Sequence, residues 1–346
     1  MPGIKCTVHF GCIANRTLSR HSSDMVTSVR IETGARLHFG PLAAAGASGG
    51  KFGGVGMMVT SPGFVVSASL AGTDEFHGEN SAAARAAEFV RCIRAGDNEQ
   101  KFPFCRMTVD STIPSHAGLG SGTQLGLAVA AALSELADEH EIPVETFARR
   151  AGRGLRSAIG LHGFSTGGFL VDGGRAAQSQ LGTLVARVTF PEQWRLILVA
   201  PPESQGLSGT AEQSAFAAQP PMPQALTAEL CRIALMEWLP GLIEADFQRA
   251  SSAMYEFGLG VGRFFEPAQG GVFAHPLMGE LAEAVRPRGF GGVAQTSWGP
   301  TTCILCDSHA AATELISDLA CDSRWAACSI QMTEPLNQGA KITRTG

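Results

Sequence analysis

No stretch of this chain reaches the roughly 18–20 consecutive apolar residues that a membrane-spanning helix needs, so a membrane-embedded protein is not expected. Basic residues are in the minority: 26 Lys and Arg stand against 31 Asp and Glu, a net charge of −5. A nucleic-acid binder would carry the opposite balance. Charge of either sign is sparse at 16%. The nine cysteines are scattered, odd in number and without the spacing of a small disulfide scaffold, which points to a reduced, cytoplasmic chain. Cys303-Ile-Leu-Cys306 is formally a CxxC, but it lies in a strand-like run where residues three apart face opposite sides of a sheet. The nucleotide-binding signature GxxxxGK[ST] is absent. So are internal repeats and long low-complexity linkers. The first 25 residues lack the apolar core of a signal peptide and read as a tail, or as residues upstream of an alternative start at Met25.

What is present is apolar residue and glycine. The chain is 45% hydrophobic over 346 residues, enough for a sizeable core, and its 42 glycines imply many tight turns and close backbone approaches. Strand-like alternation over 26–40 and 103–114, helical spacing over 80–96, and a later run of helices and strands give an interleaved α+β pattern. Residues 55–71 read as two short strands around a Ser-Pro-Gly turn, 144–160 as one helix, His162 as lying in a glycine-flanked turn, 163–174 as turn, strand, turn, and 222–258 as two helices separated at Pro240-Gly241. The expected division is a tail (1–25), an N-terminal unit (26–190) and a smaller C-terminal unit (191–346).

One segment stands out chemically. Pro114-Ser-His-Ala-Gly-Leu-Gly-Ser-Gly-Thr-Gln124 precedes the alanine-rich run LGLAVAAALSELA. This is a glycine-rich loop opening onto a helix start. Free N–H groups and the positive pole of the helix favour an anion there. The candidate phosphate-binding residues are Ser115, His116, Ala117, Gly118, Leu119, Gly120, Ser121, Gly122 and Thr123. A tight turn before a helix is the plain alternative.

The same loop resembles the signature Pro-x-x-x-Gly-Leu-Gly-Ser-Ser-Ala of the GHMP kinase superfamily, with Gly122 and Thr123 in place of the usual Ser-Ala. That resemblance implies a two-domain α+β fold. Its first domain is like domain 2 of ribosomal protein S5, and its second is a ferredoxin-like α/β sandwich. The superfamily's kinases place a catalytic aspartate near the position where this chain has His162, and the late glycine-rich kinase motif gives way here to GGVAQTSWGPTTC (291–303). Taken together, TGARLHFG, KFGGVGMMV, the glycine loop with its helix, IGLHGFSTGGFLVDGG and AQTSWGPT are similar to the β-ribofuranosylaminobenzene 5′-phosphate synthase family of tetrahydromethanopterin biosynthesis.

The resemblance implies a decarboxylating pentosyltransferase. It would join phosphoribosyl pyrophosphate to 4-aminobenzoate, or to 4-hydroxybenzoate, with Mg2+, as a cytoplasmic homodimer that binds neither nucleic acid nor membrane. The runner-up is an ATP-dependent small-molecule kinase of the superfamily. For the synthase, Arg36 and His38 share one face of a strand and, with His162, are the catalytic candidates. Lys51, Gln295, Thr296, Ser297 and Trp298 are the substrate-binding candidates. Trp298 could stack on the benzoate ring or pack in the core. Asp172, before paired glycines, reads as a turn residue with metal ligation as its alternative. The metal ligands are left open.

Overall fold

In the computed structural model the described residues are 26–44, 52–97, 101–154, 157–175, 181–202, 219–296 and 298–346. The tail 1–25, Lys51 and Ser297 lie outside them. The first sheet has seven strands: β1 (Ser28–Pro41), β2 (Gly54–Leu70), β3 (Glu75–Gly78), β4 (Cys105–Ser111), β5 (Phe169–Asp172), β6 (Leu184–Val188) and β11 (Lys341–Thr345). Its main path runs β11-β1-β2-β4-β3, and β5 pairs with both β2 and β6. The second sheet is antiparallel: β7 (Arg195–Ala200), β8 (Val293–Gln295), β9 (Thr302–Cys306) and β10 (Ser329–Thr333), in the order β10-β7-β9-β8. This is the ferredoxin-like arrangement expected of the second unit. The residues expected to form that unit, 191–346, serve both sheets, because β11 pairs with β1.

The helices are α1 (Asn80–Asp97), α2 (Ser121–Leu136), α3 (Val144–Arg150), α4 (Ile159–Thr166), α5 (Gln224–Arg232), α6 (Leu239–Ile243), α7 (Phe247–Gln269), α8 (Pro276–Val285) and α9 (His309–Cys321). No helix among the described residues is long and apolar enough to cross a membrane. Helix α2 is the buried axis of the first unit. Every residue from Leu125 to Leu133 is shut off from solvent, because an alanine–leucine sequence offers no polar face. It packs on β1 and β2. One continuous core joins this unit to α7, while a second core lies on the far side of the second sheet. Cys303 belongs to the first core and Cys306 to the second, as period-2 alternation requires.

Four local expectations are corrected. Residues 54–70 form one strand; the Ser61-Pro62-Gly63 segment is absorbed as an irregularity between the pairs Gly34–Gly63 and Ala35–Val59. The helix begun at Val144 stops at Arg150, and a separate helix, α4, covers 159–166. His162 is therefore in a helix and not in a turn. Asp172 makes this possible: its Oδ2 accepts the N–H of Ala158 at the start of α4. Pro240 and Gly241 sit inside α6, and the break falls at Glu244–Asp246, where the Asp246 carboxylate caps α7 by accepting from Arg249 N. Pro240 is tolerated inside this continuous helical run because the carbonyl of Met236, four residues earlier, accepts instead from Arg249 Nη2 at 2.6 Å. The helix before it, from Ile233 to Trp238, runs as a π-helical turn. That turn seats Trp238 among Phe39, Phe169 and Phe257, with ring centroids 4.9–5.6 Å away.

Candidate functional site: an arginine-flanked glycine loop

The glycine loop lies where sequence places it, between β4 and the N-terminus of α2. Its shape depends on backbone that ordinary side chains resist. Gly118 has φ of 78° and Gly120 of 75°, in the left-handed region that only glycine enters freely. Space is short as well: a methyl at Gly118 would sit 2.6 Å from the carbonyl oxygen of Thr296. Gly120 is the N-cap of α2, and no side chain caps the helix. Thr123 and Gln124 both donate back to the Gly120 carbonyl, so the donors at the very start of α2 face the loop's concave side.

Arg36 is brought to this loop. Its backbone N–H donates to Leu119 O at 3.0 Å, and its side chain lies along Gly120, with Nε 3.1 Å from where a methyl would stand. Two arginines that sequence reading overlooked are also there. Arg85, from α1, donates to the hydroxyls of Ser115 (2.9 Å) and Ser121 (3.0 Å), bracketing the two ends of the loop. Burial pulls its pKa down and the nearby Glu79 carboxylate opposes this. The guanidinium of Arg153 lies over Gly122, 3.5–3.6 Å from the methyl position. Three cations from three elements thus gather at the positive pole of one helix.

The other candidates fall around this centre. His38 follows Arg36 on the same side of β1. Burial, with the Arg36 charge adding to it, lowers its pKa to about 3, so the imidazole is neutral at physiological pH. Its Nε2 is sealed from solvent and has no hydrogen-bond partner among the described residues. Thr296 is fully buried and touches the loop at Gly118. Gln295 is turned toward the second unit, accepting from Ala274 N and donating to Gln269 Oε1. Trp298 is 6% exposed and packs on Phe265 at 4.6 Å; that stacking partner lies within the protein. His162 donates from Nε2 to Gly182 O at 3.0 Å; the glycine loop does not supply that partner. His116 is exposed, with φ of 62°.

The loop is tied to its surroundings by Gln124, which accepts from Thr33 Oγ1 and donates to Gly160 O, joining β1, α2 and α4. The nearest fully buried carboxylate is Asp172. Its oxygens accept the N–H groups of Ala158 and Gly174, both at 2.8 Å, so it serves as a turn and cap residue. Burial raises its pKa, and those two hydrogen bonds oppose the rise. No three His, Cys, Asp or Glu side chains gather as a metal cage among the described residues. The donor set around the loop consists of hydroxyls, backbone N–H groups and guanidiniums, which suits an anion and does not fit a protein-held Mg2+.

Residues 82–168 match the model of the GHMP kinases N terminal domain. The fold is similar to that of mevalonate diphosphate decarboxylase from Staphylococcus aureus, with a TM-score of 0.63 at 15% identity over 93% of this chain and 100% of the other. By sequence the chain is 29% identical over 310 residues to the β-ribofuranosylphenol 5′-phosphate synthase of Methanothermobacter thermautotrophicus, covering 82% of this chain and 90% of that one. It is 30% identical over 339 residues to the enzyme of the same name from Archaeoglobus fulgidus, covering 91% of this chain and 99% of that one. On that full-length likeness, the chain belongs to the β-ribofuranosylphenol 5′-phosphate synthase family, on a GHMP kinase fold.

Proposed function

We propose that the chain condenses phosphoribosyl pyrophosphate with a 4-substituted benzoate to give a C-riboside 5′-phosphate, releasing pyrophosphate and CO2. The relatives' printed name, a ribofuranosylphenol synthase, favours 4-hydroxybenzoate over 4-aminobenzoate as the acceptor. The observation that carries the reading is the glycine loop with Arg36 along one flank and a neutral His38 beside it.

The chemistry makes two demands. The bond between ribose C1 and the pyrophosphate oxygen breaks with its electron pair on that oxygen, leaving an oxocarbenium-like C1. Negative charge therefore grows on the leaving group, and preorganised donors that meet it lower the barrier. The first-turn N–H groups of α2 and the hydroxyls of Ser121 and Thr123 supply them. Next, the ring carbon that carries the carboxylate attacks C1. The bond to the carboxylate then breaks, its electrons restore the aromatic ring, and CO2 departs. Arg36 and His38 lie side by side for the acceptor: the guanidinium holds the carboxylate, and the neutral imidazole of His38 offers hydrogen bonding without a second positive charge. His162, with Nε2–H committed to Gly182 O, keeps Nδ1 as an acceptor for a proton. Thr296 closes the loop's far side at Gly118.

Mg2+ enters with the diphosphate of the substrate, since no carboxylate cage stands among the described residues. A homodimeric, cytoplasmic enzyme is part of the same reading, on the family resemblance. The kinase alternative requires a free carboxylate base beside the phosphate, and Asp172 has both oxygens engaged.

The test is release of labelled CO2 from carboxyl-labelled 4-hydroxybenzoate and 4-aminobenzoate, each with phosphoribosyl pyrophosphate and Mg2+ and without ATP. Release that requires both substrates is expected, faster with the hydroxy acid. No release from either, with ATP consumed on a small alcohol, overturns the reading in favour of a kinase.

A further inference from the structure

We propose that Arg153 is the residue that grips the departing pyrophosphate, and that Phe89 holds it in position to do so. The proposal rests on the synthase reading above and adds a residue to it.

Two glycines lie close together in α2. Glycine costs about 1 kcal/mol against alanine in a helix interior, yet α2 carries Gly126 there, and Gly122 stands one turn before it on the same face, in the first turn. Each leaves room for a particular group. At Gly126 a methyl would stand 2.9–3.0 Å from the ring of Phe89, so that ring is seated directly on the helix backbone. Arg153 then lies over Phe89, its Cζ 5.0 Å from the ring centroid. From there its guanidinium extends across Gly122, at 3.5–3.6 Å from the methyl position. At Gly126 the absent side chain is what admits the ring, while at Gly122 a methyl would make ordinary contact and only a larger side chain would displace the guanidinium. Phe89 thus fills the space at Gly126 and the arginine fork covers Gly122, beside the first turn of the helix.

A cation at this end of a helix gains nothing from the helix dipole, which is positive there. An anion at this end can be met by the guanidinium and the helix N–H groups together. A guanidinium offers a flat fork matched to phosphate oxygens, and the aromatic face underneath fixes that fork in place before the anion arrives. Arg36 approaches from the opposite flank, at Gly120, next to His38. The two arginines therefore divide the work: Arg36 lies on the side of the aromatic acid and Arg153 on the side of the leaving group. Arg85 touches the loop only through the hydroxyls of Ser115 and Ser121 and acts as a positioning residue.

The experiment is calorimetric titration of the full chain with inorganic pyrophosphate, alongside steady-state kinetics, for wild type, Arg153→Gln, Arg153→Lys and Phe89→Leu. Arg153→Gln is expected to weaken pyrophosphate binding at least tenfold and to lower kcat/KM for phosphoribosyl pyrophosphate by more than that, while KM for the aromatic acid moves less than twofold. Arg153→Lys recovers part of the binding, because it restores the charge without the fork. Phe89→Leu falls between wild type and Arg153→Gln. Pyrophosphate binding equal to wild type in both Arg153 variants overturns the proposal. If Arg153→Gln does not fold, the lysine variant, which keeps the charge and the aliphatic stem, decides the question by the same criterion. Wild type that binds pyrophosphate through Arg153 yet releases no CO2 supports this assignment while overturning the synthase reading. Wild type that binds no pyrophosphate overturns both.

Discussion

The two ends of α2 carry charge in opposite ways, and the contrast separates structure from function. At the C-terminal end a buried carboxylate, Glu135, sits at the helix's negative pole. The protein resolves this conflict internally. Arg344 from β11 donates to both Glu135 oxygens, with Nη2 at 2.9 Å, and His140 Nδ1 lies 2.7 Å from Oε2. Burial pushes the Glu135 pKa up, but the bonds from Arg344 and His140 outweigh it and hold the carboxyl below its usual value. At the N-terminal end three arginines are added to the positive pole, and the hydrogen bonds of Arg85 there go to neutral hydroxyls. One end is closed by β11, and the other is the end to which the proposed function assigns an anion. The lesson is that like charge at a helix end has two explanations, and the identity of the partners tells them apart.

The largest effect that sharpens this contrast is expected at the open end. Arg36→Gln should lower kcat/KM about 10²–10³-fold, the range for losing one charge-stabilising donor, with little change in melting temperature. Release of labelled CO2 together with a thermal scan checks both halves. A variant that instead melted early and kept its specific activity would make Arg36 a structural residue and break the comparison. At the closed end the expected pattern reverses. Glu135→Gln removes the buried charge that Arg344 and His140 satisfy. Since Arg344 is half exposed and can turn to water, the loss is discounted to about 1–2 kcal/mol, a fall of a few degrees in melting temperature with kcat/KM intact. The wild-type contribution of Glu135 should be full above its unfolded pKa near 4.5 and should disappear as pH falls through its lowered folded value. Urea titrations of both proteins at pH 7 and pH 4 would show the difference shrinking at the lower pH.

The open end was legible in sequence only in part. The glycine loop and Arg36 could be read because both belong to short contiguous motifs, PSHAGLGSGTQ and GARLHFG, whose geometry is local. Arg85 and Arg153 could not be read in that way. Each sits in an ordinary helical or turn context, and only the packing of α1 and of the segment after α3 against α2 brings them to the loop. A signal was present nonetheless: Gly122 and Gly126, one turn apart in a helix rich in Ala and Leu, mark a face where something approaches closely. His162 was misplaced for a related reason. Glycines at 160 and 163 look like turn residues, yet they let α4 press against Thr123 and Met58, and its helical start depends on Asp172, ten residues beyond His162. The last strand, β11, went unread because its residues, Lys-Ile-Thr-Arg-Thr, are mostly exposed; edge strands of this kind carry little hydrophobic pattern.

At neutral pH the smallest effect concerns His38, which sits at the open end yet is predicted to act on stability, once the pH falls, as the closed end does. Its folded pKa, about 3, lies far below the unfolded value of 6.5. Above pH 6.5 the imidazole is neutral in both states, so it contributes no pH dependence. Between pH 6.5 and about 3 the unfolded chain takes up a proton that the folded chain refuses. Stability must therefore fall as pH drops through that window, with a slope of up to about 1.4 kcal/mol per pH unit from this one group. His38→Gln, which keeps a polar side chain that does not titrate, should flatten the wild-type stability curve between pH 6.5 and 4.5. It should leave the curve above pH 7 parallel to wild type. The same depressed pKa forbids His38 from producing an acid limb near pH 6 in kcat/KM. A wild-type acid limb at that pH which vanished in His38→Gln would mean that the imidazole is protonated in the working enzyme, and that the cation count at this end of α2 is four.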